Sequence, residues 1–131
     1  MAIQLDHLLV PSRNRVASAR LLARLLDVPW AEDSGVGPFS AVYVNDGLTL
    51  DFDETPEPFQ KLHFCFRVDE AEFDATLQRI SRAGLEYRSS PHGPVDHQVN
   101  RHHGGRIVYW GEPDGHVWEL LTASYARRAS A

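Results

Sequence analysis

Apolar residues recur along the chain with two periods, and the switches between them sketch the same order of elements twice. Residues 3–10 alternate weakly and predict a strand that Pro11 ends. Residues 15–26 change to helical spacing, with Val16, Ala19, Ala23 and Leu26 on one face while Arg20 and Arg24 can face water. Pro29 is expected to stop this helix. Gly35-Val36-Gly37-Pro38 reads as a loop, and strands at 39–45 and 48–53 form a hairpin turned at Asn45-Asp46-Gly47.

The second half repeats the order. Residues 62–68 are strand-like, and Asp69 followed by Glu72 has the pattern of a capping box. Phe73, Leu77 and Ile80 follow at i, i+4 and i+7, and Gly84 supplies a left-handed stop. A short strand near 86–89, a polar loop at 90–104, and a hairpin of 106–111 with 116–122 complete the half. Each half is therefore β-α-β-β-β, and a repeat of that size is one structural unit per copy. The expected fold class is α+β, two βαβββ modules whose curved half-sheets face one cleft. Module one covers 3–53, a Pro-rich linker 54–61, module two 62–122, and a small, basic tail 123–131 is expected to fray. At 131 residues, the whole is expected to be a single domain.

Strand alternation assigns faces. Leu62, Phe64, Phe66 and Val68 should pack on a helix, leaving His63, Cys65 and Arg67 opposite. Trp118 and Leu120 should pack inward, with Glu119 opposite. Leu48, Leu50 and Phe52 should do the same, with Thr49, Asp51 and Asp53 opposite. A carboxylate in the middle of an apolar strand is costly unless it is paired or bound to metal. His7 and His63 open the two halves, and Asp51 and Glu119 close them. The His63–Glu119 interval is the longer, by about the length of the polar loop. Two imidazoles with one or two carboxylates suit one divalent ion, whether zinc, nickel, manganese or iron.

Charge narrows the partners. A net charge of −5 argues against nucleic acid. No apolar run reaches membrane-spanning length and no signal pattern opens the chain, while a single cysteine fits a reducing compartment. A cytoplasmic protein with a small-molecule substrate is expected, with neither nucleic acid nor membrane as partner.

These residues carry a family resemblance. Leu5-Asp6-His7, Leu62-His63-Phe64 and the run Tyr109-Trp110-Gly111-Glu112-Pro113-Asp114-Gly115-His116-Val117-Trp118-Glu119-Leu120 resemble the vicinal-oxygen-chelate superfamily, also called the glyoxalase/bleomycin-resistance/dioxygenase family. The resemblance covers roughly residues 3–122 and implies paired βαβββ modules, usually assembled as a homodimer. It implies His7, His63 and Glu119 as metal ligands. Asp51 stands where glyoxalase-like members add a fourth, although it is shorter than the glutamate usual there. Tyr109 matches a substrate-facing tyrosine of fosfomycin-resistance relatives. Leu9 and Ile107 are apolar where that group is polar, which disfavours fosfomycin modification. The common extradiol enzymes have four modules, whereas this chain has two.

Plainer readings stand beside these. A lone histidine is more often a hydrogen-bonded core residue than a ligand, and Glu119 alone would fit an ion pair with Arg106. His116 reads as capping its hairpin, Cys65 as a buried, inert strand thiol, and His92, His97, His102 and His103 as solvated loop residues, although His102 and His103, beside Gly104-Gly105, can approach the cleft mouth. Tyr109 and Arg106 read equally as rim residues for a substrate carboxylate or carbonyl and as ordinary strand ends. Two functions follow. One is a metal-dependent glyoxalase-like isomerase, epimerase, lyase or dioxygenase, with Glu119 or Asp51 moving the proton. The other is a metal-free small-molecule or drug-binding protein resembling the bleomycin-resistance proteins.

Overall fold

The computed structural model describes residues 2–127. The chain forms two compact units that divide between Gln60 and Lys61. The first contains β1 (His7–Ser12), α1 (Arg15–Leu26), β2 (Trp30–Ala31), β3 (Phe39–Asn45) and β4 (Leu48–Glu54). The second contains β5 (His63–Arg67), α2 (Glu70–Arg82), β6 (Tyr87–Arg88), β7 (Ile107–Gly111) and β8 (Val117–Leu121). Each unit is one four-stranded sheet, ordered β1-β4-β3-β2 and β5-β8-β7-β6. The opening strand runs parallel to the closing one, and the remaining pairs are antiparallel. Among the described residues, no helix is long and apolar enough to cross a membrane.

Both helices form where local chemistry favours them. Asn14 caps α1 by accepting from the Ala17 amide, and Ala19, Leu22, Ala23, Leu25 and Leu26 are buried. This helix stops at Leu26, three residues before Pro29. Asp27 turns left-handed at φ 56° and its amide reaches the Ala23 carbonyl, so a cap rather than the proline ends it. Asp69 caps α2, as its spacing to Glu72 predicts, accepting from the Glu72 amide at 2.8 Å. Phe73, Thr76 and Ile80 line the buried face, and Gly84 takes φ +74° just beyond the end.

The first strand departs from expectation at both ends. Residues 2–6 lie outside it, and it continues through Pro11 to Ser12, paired with Asp53 and Glu54. β1 is an edge strand, where a proline's missing N–H need not interrupt a ladder. The two-residue strand β2 escaped the periodicity altogether. The central even-numbered residues of both closing strands pack inward. Leu50, Phe52, Trp118 and Leu120 are all buried. Trp118 stacks between Phe64 (4.5 Å between centroids) and Phe66 (6.0 Å).

Candidate functional site

The ladders give the internal repeat a residue-level meaning. In the second unit Cys65, Glu119 and Tyr109 form one rung across β5, β8 and β7. In the first unit the corresponding rung is Leu9, Asp51 and Ala41 across β1, β4 and β3. His63 and His7 each stand two residues before the first member of their rung. The structure therefore makes Asp51 the equivalent of Glu119 and His7 the equivalent of His63.

Glu119 is fully buried, and both its oxygens are engaged. His63 Nε2 lies 2.8 Å from Oε1, and the Tyr125 hydroxyl donates to Oε2 at 2.5 Å. This satisfaction is what allows a carboxylate to sit in a sheet among Ile107, Leu121 and Tyr109. Tyr109 sets its ring edge-on to His63 at 6.1 Å, and its hydroxyl joins the hydrogen bonding of Tyr125 and Glu119. Desolvation first, then the adjacent carboxylate, raises the Tyr109 phenol above its ordinary value. Both phenols are pushed upward, so they remain proton donors at neutral pH. Cys65 corrects the expectation of a buried thiol: it is exposed, on the same face as Glu119. Its pKa is pushed up to about 12, by lost solvation against the sheet first and by Glu119 second, so it too stays protonated.

The first unit presents a more open version. His7 is exposed and its Nδ1 sits 2.7 Å from Asp6 Oδ2, which raises the imidazole pKa. Asp51 is half-buried and its carboxyl is raised by desolvation, which outweighs the opposing pull of His7. No tyrosine stands at the rung position of Tyr109, because Ala41 occupies it. Within neither unit, among the described residues, do three His, Cys, Asp or Glu side chains gather as one metal-holding group.

Arg106 does not belong with the site residues. Its guanidinium pairs with Glu70 and Asp74 of α2, each at 2.7 Å, and lies over the Phe73 ring. Residues 106 and 109 differ by three, so alternation puts them on opposite faces, and Arg106 takes the helix side. The plainer pairing of Arg106 with Glu119 fails for the same reason. His116 is fully buried, and its Nδ1 accepts from the Leu62 amide at 3.0 Å, which fixes the start of β5 rather than capping a hairpin alone. A hollow of about 560 Å³ flanks the Glu112–Gly115 turn, but His63, Cys65, Tyr109 and Glu119 do not line it.

Tyr125 has no signal in the sequence, whereas His103 is one of the two loop histidines that the sequence allows near the cleft mouth. Tyr125 falls in the tail expected to fray, yet its hydroxyl holds Glu119; residues 128–131 of that tail lie outside the described residues. His103, one of the loop histidines, packs against Tyr125 in a tilted ring contact with centroids 4.7 Å apart. The loop bearing His103 has its own clamp. Asp96 accepts from the Ser89 hydroxyl and from the Ser89 and Gln98 amides. These bonds hold the Asp96 carboxyl below its ordinary value. A group depressed on folding stabilises above its unfolded pKa and loses that contribution as pH falls through the folded one. The Ser89 and Gln98 amide resonances should therefore hold steady down to about pH 4 and shift together below it. A shift centred above that value would contradict the clamp.

No family model matches the chain. Two solved structures match it almost end to end. Oxidase ChaP-H2 superposes with a TM-score of 0.88 at 35% identity, over 96% of this chain and 98% of that one. Oxidase ChaP-H1 superposes with a TM-score of 0.86 at 38% identity, over 96% and 100%. Added to the paired βαβββ units, this full-length similarity decides the family. The chain belongs to the vicinal-oxygen-chelate superfamily. Among curated relatives, this superfamily member is 32% identical over 66 residues to the fosfomycin resistance protein FosX of Mesorhizobium japonicum, a match covering half of this chain and 42% of that protein. The metallothiol transferase FosB of Shouchella clausii is 29% identical over 66 residues. The matched stretch thus spans less than half the length of these curated relatives.

Proposed function

We propose that this protein is a metal-dependent enzyme acting on a small molecule with two adjacent oxygens. The observation that carries the reading is the buried Glu119 carboxylate meeting His63 Nε2 at 2.8 Å. An imidazole nitrogen and a carboxylate oxygen that share a proton are the donor pair a divalent cation takes up with release of that proton. The donor chemistry therefore fits zinc, nickel, manganese or iron. His63 and Glu119 would hold the ion, joined by His7, the equivalent histidine of the first unit. Such an ion supplies Lewis acidity toward chelating substrate oxygens. Tyr109, protonated and next to Glu119, donates to a substrate oxygen. Asp51, raised by desolvation and not engaged as Glu119 is by Tyr125, moves the proton. The relatives named oxidases, at more than 30% identity over 96% of the chain, favour oxidative chemistry within the class. The resemblance adds a homodimer as the working assembly.

Metal analysis of freshly purified protein, followed by titration with manganese(II) and zinc(II), tests the reading. One ion per chain is expected, with His7→Ala and His63→Ala each abolishing uptake. Asp51→Asn should weaken uptake at least about 10-fold, whether that carboxylate ligates directly or orients a ligand. Unchanged metal affinity together with unchanged turnover removes Asp51 from the site. A wild-type protein that takes up neither ion sinks the enzyme reading in favour of metal-free small-molecule binding.

A further inference from the structure

Glu119 has two oxygens, and the reading above uses one of them. The other, Oε2, is occupied by Tyr125 at 2.5 Å. Tyr125 lies beyond the last strand, in a segment without regular structure, and is 40% exposed. Burial therefore does not hold it in place; specific contacts do. The end of the long loop and the start of the tail are laced together. The Arg106 amide donates to Thr122 Oγ1 at 2.9 Å, and the Thr122 amide donates to the Arg106 carbonyl at 3.1 Å. Gly105 permits this close approach, because a Cβ there would fall 2.5 Å from Thr122 Oγ1. That lacing sets His103 of the loop against Tyr125 of the tail, ring to ring.

We propose that Tyr125 is a positioning residue, a strap over the site that fixes the Glu119 carboxylate and confines its ligation to Oε1. The proposal rests on the reading of His63 and Glu119 as metal ligands. The terminal torsion of a glutamate is broad, so an unrestrained carboxylate samples orientations in which neither oxygen faces His63. A phenol hydroxyl on Oε2 removes that freedom and supplies the partner a buried oxygen needs. Confinement to one oxygen also keeps an additional coordination position free for substrate.

Manganese(II) titration of the full chain, followed by electron paramagnetic resonance, tests this with Tyr125→Phe and with a chain ending at Ser124. Both variants should bind manganese 10–100-fold more weakly than wild type, the range typical of groups that orient a ligand. Both should also alter the resonance of the bound ion, which loss of stability alone would not do. Phe keeps the ring on His103 and removes only the hydroxyl, while the shortened chain loses both. Titrations run well below each melting temperature keep folding out of the comparison. Wild-type affinity and an unchanged spectrum in both variants, with binding abolished in His63→Ala, overturn the role of Tyr125 and leave the metal site standing. A wild-type chain that takes up neither manganese nor zinc overturns the site reading, and the strap with it.

Discussion

Glu119→Gln should leave the fold intact and weaken metal uptake by more than about 100-fold, beyond the range seen for groups that only orient a ligand. Glutamine matches glutamate in shape, and it can keep both bonds that satisfy the buried position. Its carbonyl accepts from Tyr125, and its amide donates to His63 Nε2 once that ring takes its other tautomer. With no buried polar atom orphaned, the stability change should stay within about 1 kcal/mol. What is lost is the negative charge and the carboxylate oxygen that a divalent cation requires. Thermal melting and metal titration of the one variant therefore move independently. Glu119→Leu provides the contrast, because it strands the Tyr125 hydroxyl and His63 Nε2 and should lower the melting temperature as well. Wild-type metal affinity in Glu119→Gln would take Glu119 out of the site.

The faces of the strands were legible because alternation is enforced by the pleat. Once Phe64, Phe66, Trp118 and Leu120 are assigned to the helix side, His63 and Glu119 have nowhere to go but the other. The same logic, applied fully, would have excluded Arg106, which immediately precedes β7 and sits an odd number of positions from Tyr109. Glu70 and Asp74 on α2 were the signal for where it goes. Tyr125 was not legible. It depends on a tail folding back by a path set by Gly105 and Thr122, and no periodicity reports such a contact. The left-handed Asp27 and the two-residue β2 were hidden for a related reason, since each is decided by tertiary pairing rather than by local preference. The equivalence of Asp51 with Glu119 was readable as a position in a repeat, and the two ladders turn it into a register. The difference in surroundings was not readable. Tyrosine partners surround Glu119, while Asp51 has Ala41 and Leu9 beside it.

Trp118→Ala should destabilise the protein by about 3–5 kcal/mol, the usual cost of deleting a large buried aromatic side chain. Trp118 is 1% exposed, stacks with Phe64 and Phe66, and pairs across the ladder with Trp110. It is also the residue before Glu119 on β8, so a loss of packing on one face of the strand loosens the carboxylate on the other. The defect is one of folding rather than of ligand chemistry, and metal should partly repair it. An ion bound only by the folded state adds about 2.7 kcal/mol at 100 times its Kd. Chemical denaturation of Trp118→Ala with and without saturating metal should therefore show most of the lost stability returning. The same measurement on Glu119→Gln should show no return, because the ion has no site to occupy. If metal fails to raise the stability of Trp118→Ala while still stabilising wild type, then the indole is needed for the site's geometry itself, and packing and ligation on β8 are not separable.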